Sequence, residues 1–107
     1  MQTTRSRPTQ TSAPEPFALW REYRLTGDSA VRDRIVFTFT PMVCYAVESK
    51  LAAIPAERDV EDFLSRAFEA LISAIERFEP DDEVTLEQFA WTQVYAALLE
   101  ELGRGGR

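Results

Sequence analysis

Few side chains in this sequence could perform chemistry, and none of them stands in a recognisable catalytic pattern. The 107 residues include no histidine and one cysteine, Cys44, which excludes histidine-based triads and most zinc sites. Carboxylates crowd residues 79–83, where a hard cation could bind, but the alternating ligands and central glycine of a calcium loop are missing. The sequence therefore predicts no enzyme, no catalytic residue, no cofactor and no metal site, and Cys44 is expected to be a buried, inert thiol.

The charge of the chain is unevenly distributed, and this bears on its partners. The net charge is −6, yet residues 57–102 carry 13 acidic side chains against three arginines, a local net charge of −10. Lysine and arginine supply most of the nonspecific affinity of proteins for DNA, so we expect weak or no direct DNA binding. No apolar run reaches the length of a membrane helix, and residues 1–15 lack the apolar core of a signal peptide. The sequence predicts a cytoplasmic protein without a membrane anchor.

Helix start and stop signals organise the first half of the chain. A first helix is predicted over residues 17–25, followed by Gly27 and Asp28, which suit the end of one helix and the N-cap of the next. The second helix is predicted over residues 29–53. Pro41 lies inside it and is expected to cause a kink or break.

The second half of the chain has the clearest helical pattern. Apolar residues recur at steps of three and four over residues 59–78, which predicts an amphipathic third helix. Thr85 and Gln88 form a capping box that begins a fourth helix over residues 86–102. No segment indicates a strand, so the predicted fold is all-α, a small four-helix bundle.

Composition divides the chain into one domain with two tails. Residues 1–15 are rich in Thr, Ser, Pro and Gln and have no large apolar side chain after Met1, so a disordered tail is expected there. The helical domain is predicted over residues 16–102. Residues 103–107, with three glycines, are expected to form a flexible C-terminal tail.

Apolar residues outside the core stripes are the most informative surface feature. On the third helix, Phe68 and Ile72 lie beside the core stripe rather than on it. On the fourth helix a second apolar stripe, at steps of 4, 3 and 4, is formed by Trp91, Tyr95, Leu98 and Leu102. A helix with two apolar faces is either central in its fold or bound to a partner. The second stripe is therefore expected to be covered by the N-terminal helix through Phe17 and Trp20, by a second copy of the chain, or by another protein.

Four segments follow one another in a characteristic order: LWREYRLTGD at 19–28, RDRIVFTFTPMVCYAV at 32–47, DFLSRAFEALISAIERFE at 62–79 and FAWTQVYAALLEEL at 89–102. Together they resemble the bacterial sigma-70 family of RNA polymerase sigma factors, particularly the sporulation, flagellar and stress-response types. The resemblance implies the helical fold of sigma regions 1.2 and 2. It also implies that the third segment is the polymerase-binding helix and the fourth is the promoter-melting helix.

Departures from the family pattern indicate a truncated and degenerate member. Ser65 and Arg66 stand where the polymerase-binding helix usually has glutamine and glutamate. In the melting helix Phe89 keeps an aromatic position, but Gln93 and Tyr95 stand where many members carry arginine. Binding to a single strand needs stacking rings and cations together, so promoter recognition is expected to be largely lost.

The resemblance therefore suggests a sigma-like transcription regulator that acts by contact with the clamp helices of core RNA polymerase or with an anti-sigma protein. Two alternatives are the N-terminal part of a functional sigma factor and a self-associating helical module that forms a homodimer. The predicted protein interface consists of two groups of residues: Asp62, Ser65, Arg66, Phe68 and Ile72 on the third helix, and Trp91, Tyr95, Leu98 and Leu102 on the fourth.

Overall fold

The computed structural model describes residues 16–81 and 83–105, and within them it is built from helices alone. The α-helices are α1 (Pro16–Thr26), α2 (Ser29–Glu48), α3 (Val60–Arg77) and α4 (Leu86–Gly105), with a short 3₁₀ turn at Leu51–Ala53. The predicted all-α bundle of four helices is confirmed. The predicted N-terminal tail, residues 1–15, and the last two residues of the predicted C-terminal tail lie outside the described residues.

Short-range signals at two helix boundaries are confirmed in atomic detail. Gly27 has a φ of 67°, a conformation that costs glycine little, and its N–H donates to the Tyr23 carbonyl at 2.7 Å. The Asp28 carboxylate then accepts from the Ala30 N–H at 2.9 Å and caps α2. At the start of α4, the Gln88 N–H donates to the Thr85 hydroxyl at 3.0 Å, and the Gln88 side chain accepts from the Thr85 N–H at 2.9 Å.

The second helix differs from its prediction in two ways. It runs unbroken through Pro41, so the alternative of a break there is wrong. Because proline has no backbone N–H, the carbonyl of Phe37, four residues earlier, has no helical donor. The Phe37 side chain is 78% exposed, so this turn of the helix is accessible to water. The helix also ends at Glu48 rather than near residue 53. A turn follows, in which the Ser49 N–H donates to the Tyr45 carbonyl and the Lys50 N–H donates to the Val47 carbonyl.

The third helix lies at the centre of the packing. Its fully buried side chains face the other helices: Phe63, Ala67, Leu71, Ala74 and Ile75. All of them except Ala74 belong to one apolar cluster with buried residues of α2 and α4, and this cluster is the core of the domain. The apolar side of the predicted amphipathic helix therefore faces the core. The observed helix is one residue shorter at each end than predicted.

The first helix closes the C-terminal end of α3. Carbonyls in the last turn of a helix have no partners within the helix. The indole Nε1–H of Trp20 donates to the Ile75 carbonyl at 2.9 Å, and the Arg24 guanidinium donates to the Glu76 carbonyl at 3.0 Å. The hydroxyl of Tyr23 donates to the Glu76 carboxylate, which raises the pKa of Tyr23 above its ordinary value because the neutral phenol is the donor.

The link between α3 and α4 is organised by Asp81. Its carboxylate accepts from the N–H groups of Glu83 and Val84 at 2.7 and 2.9 Å. These bonds favour the charged form and lower the pKa of Asp81 below its ordinary value. The acidic segment that could have suggested a cation site is therefore a backbone-stabilised turn over its described part. The fourth helix continues to Gly105, three residues further than predicted.

Candidate protein interface

One face of α3 carries a shallow groove that no other helix fills. Its apolar strip consists of Leu64, Phe68 and Ile72, all half-buried. Ser65 lies in the same groove, and the exposed side chains of Glu61 and Glu69 complete its lining. We call it the α3 groove, and its volume is about 490 Å³. The structure thus brings together three of the predicted interface residues, Ser65, Phe68 and Ile72, on one open surface.

Two other predicted interface residues lie outside the groove. Asp62 is exposed on α3 but does not line it. Arg66 lies at the junction of α3 with α4, where its guanidinium is 3.0 Å from Glu100 and 3.6 Å from Glu101. It also lies 3.7 Å from Glu69 on its own helix. The prediction that Arg66 shares one face with Phe68 and Ile72 is wrong, because three carboxylates hold the guanidinium on the side of the helix that meets α4.

The ion pairs between α3 and α4 were not predicted from the sequence. Glu101 also accepts from Arg58, which precedes α3, at 2.7 Å, and both side chains are largely shielded from water. The Arg58 guanidinium in turn lies 4.9 Å from the centre of the Phe63 ring. The adjacent carboxylates Glu100 and Glu101 were the available signal, but a pair of charges near the end of a helix is ordinarily a solvated surface.

The second apolar stripe of α4 is divided between the core and the surface. Leu98 is fully buried, while Trp91, Tyr95 and Leu102 are half-buried. The Trp91 ring stacks on Tyr95 with 5.5 Å between centroids and lies 6.2 Å from the ring of Tyr45 on α2. Leu98 is therefore a core residue of this chain, and the C-terminal half of α2 partly covers the rest of the stripe.

The N-terminal helix does not cover this stripe through Phe17 and Trp20, and that alternative is wrong. Trp20 is 6% exposed and meets Phe78 edge to face at 5.3 Å, while Phe17 stacks on Trp20 at 5.7 Å. The indole hydrogen bond to the Ile75 carbonyl holds Trp20 at the C-terminal end of α3, where the ring contacts of Phe17 and Trp20 are with each other and with Phe78.

The aromatic rings of α4 have partners within the protein. Phe89 lies 5.6 Å from Phe78, Trp91 is stacked on Tyr95, and the Lys50 ammonium lies 4.8 Å over the Tyr95 ring. Between Phe78 and Gly103 the sequence has no lysine or arginine. A surface that binds a single strand combines stacking rings with a cationic groove, and α4 supplies no cation between Leu86 and Leu102.

Neither the described side chains nor the comparisons with known proteins indicate another kind of site. The described residues contain no group of three or more His, Cys, Asp or Glu side chains placed to hold a metal ion. Within residues 16–81 and 83–105, each helix is too short or too polar to span a bilayer. No protein-family model matches the chain, and no curated protein is significantly similar to it.

Proposed function

We propose that this chain is a sigma-like transcription regulator that acts by protein contact, with the α3 groove as its binding surface for the clamp helices of core RNA polymerase. The observation that carries the proposal is the position of the apolar strip. Leu64, Phe68 and Ile72 stay open to solvent on the helix that resembles the polymerase-binding helix of sigma factors. An open apolar strip with a polar rim is typical of a protein-binding site.

The charges around the strip favour a basic partner. Glu61, Asp62 and Glu69 are exposed on this helix. The guanidinium of Arg66, on the same helix, is paired with carboxylates at the junction with α4. A basic helical surface, such as the clamp helices that sigma factors bind, complements this arrangement, because opposite potentials steer association and suppress wrong partners. These charges support the polymerase over an anti-sigma protein as the partner.

The regulator is proposed to have lost most promoter recognition and to have no catalytic activity. Three features disfavour binding to a nucleic acid strand: the stacking of Trp91 on Tyr95, the carboxylates of Glu83 and Glu87 in the depression that Trp91 lines, and the absence of cations between residues 78 and 103. Occupation of the clamp without promoter opening would make the chain a competitor of functional sigma factors in the cytoplasm.

The test is the affinity of the purified chain for core RNA polymerase. Phe68→Ala is expected to weaken binding by roughly 1–3 kcal/mol, about 5- to 150-fold, if the ring anchors the contact. Phe37→Ala is the matched control, because Phe37 is also an exposed phenylalanine but lies on α2. Circular dichroism establishes that both variants are folded.

Three results would contradict the proposal. Equal affinities of the parent and Phe68→Ala for the polymerase would mean that the α3 groove is not the binding surface. A chain that forms only homodimers and has no affinity for the polymerase would favour the structural module. Promoter opening by the complex of chain and polymerase would favour a functional sigma factor instead.

A further inference from the structure

A second surface, on the N-terminal end of α4, has a composition quite different from that of the α3 groove. One depression of about 400 Å³ runs between Phe17 and Phe78 on one side and Val84 and Glu87 on the other. A second depression of about 650 Å³ extends from Val84 and Glu87 to Trp91. Because both depressions are lined by Val84 and Glu87, they form one continuous surface, which we call the α4 channel.

The α4 channel combines aromatic walls with an acidic rim. Phe17 and Trp91 contribute partly exposed rings, the buried ring of Phe78 lies beneath Phe17 and Trp20 at the floor, and the exposed side chains of Glu83 and Glu87 contribute negative charge. Its described lining residues include no lysine or arginine. Grooves lined by aromatic side chains bind proline-rich extended segments, because such segments lose little entropy on binding, and carboxylates at the rim select neighbouring basic groups.

The chain itself contains a segment with these properties. Residues 1–15 lie outside the described part and join α1 at Pro16, directly before Phe17, which lines the channel. Their sequence, MQTTRSRPTQTSAPE, has prolines at positions 8 and 14, arginines at positions 5 and 7, and a single acidic residue. The charge of this segment is thus opposite to that of the rim.

The segment is also long enough to reach the far end of the channel. Fifteen residues in an extended polyproline conformation span up to about 45 Å at 3.1 Å per residue. Residues 86–92 of α4, which border the channel, extend over about 9 Å at 1.5 Å per residue. A tethered segment also has an effective concentration in the millimolar range, which favours it over a free competitor with the same contacts.

We infer that residues 1–15 dock along the α4 channel, with Arg5 and Arg7 toward Glu83 and Glu87 and the prolines against the aromatic walls. The occupied channel covers the exposed edge of Trp91 and shields this side of α4 from other partners. The inference is independent of the proposed function, since the α3 groove shares no residue with the channel.

The test is paramagnetic relaxation in the full chain, with a nitroxide on Ser6→Cys in a Cys44→Ala background. Docking predicts loss of the NMR signals of the Trp91 indole N–H and the Val84 amide, while the Ser73 amide signal on α3 persists. Weak, uniform broadening of all three signals would overturn the inference and support the mobile tail predicted from composition.

Two matched double variants, each of which replaces two glutamates with uncharged glutamines, make the test specific. Glu83→Gln with Glu87→Gln is expected to restore the Trp91 signal. The matched control is Glu57→Gln with Glu61→Gln, which likewise changes one residue before a helix and one in its first turn, and it should leave the signal lost. Restoration by both pairs, or by neither, would overturn the assigned contacts. Broadening seen only when labelled chains are mixed with isotope-enriched unlabelled ones would assign the segment to a second copy and overturn docking within one chain.

Discussion

Replacing Trp20 with alanine tests whether α1 is an integral part of the fold. The indole is 6% exposed, contacts the rings of Phe17 and Phe78, and donates to the otherwise unpaired Ile75 carbonyl at 2.9 Å. Truncation of a buried aromatic side chain to alanine costs about 3–5 kcal/mol. Because domains have a total stability of about 5–15 kcal/mol, we expect Trp20→Ala to lose a large part of the free energy of unfolding.

A second variant separates packing from hydrogen bonding. Trp20→Phe keeps an aromatic ring but leaves the Ile75 carbonyl without its donor, at a cost of about 1–3 kcal/mol. The assay is urea unfolding, monitored by far-ultraviolet circular dichroism. We expect the urea concentration at the midpoint to fall, and the slope of the free energy of unfolding against urea concentration to stay unchanged. Leu25→Ala, in the same helix but 85% exposed, is the control and should remain within about 0.5 kcal/mol of the parent. A loss below about 1 kcal/mol for Trp20→Ala would refute the packing of α1 on α3.

Three further predictions use the same unfolding assay. Tyr23→Phe should cost about 0.5–1.5 kcal/mol at neutral pH. Because the pKa of Tyr23 is raised in the folded state, its contribution is present below about pH 10 and is lost as the pH rises through that raised pKa; an unchanged difference at higher pH would contradict this. Thr85→Ala should cost about 1 kcal/mol through loss of the α4 cap, and a cost equal to that of Thr92→Ala in mid-helix would contradict the cap. Trp91→Ala should cost about 1–3 kcal/mol, less than Trp20→Ala, because its ring is half-buried; no loss would mean that its contacts with Tyr45 and Tyr95 do not stabilise the fold.

Features determined by neighbouring residues were predictable from the sequence. The stop at Gly27, the caps at Asp28 and Thr85, and the amphipathic pattern of α3 all depend on backbone geometry within about one helical turn. Each of them is observed close to its predicted position. The four-helix architecture follows from these signals.

Contacts between distant residues were not predictable in the same way. Arg66 meets Glu100 across 34 positions, and Trp20 meets Ile75 across 55. The sequence shows that each side chain needs a partner, but several carboxylates and several unpaired carbonyls could have supplied one. For the same reason the sequence did not show that α2, rather than α1, packs beside the second stripe of α4.

Site-specific photo-crosslinking shows directly whether the α3 groove contacts the clamp helices of core RNA polymerase, as we propose. A photoreactive phenylalanine analogue replaces Ser65, which is exposed within the groove, and in a control chain it replaces Phe37 on α2. The purified chains are irradiated with core polymerase, and the crosslinked peptides are identified by mass spectrometry. We predict a crosslink from position 65 to the clamp helices and none from position 37. Equal crosslinking from both positions, or crosslinking from position 65 only to other copies of the chain, would contradict the proposed contact between the α3 groove and the polymerase.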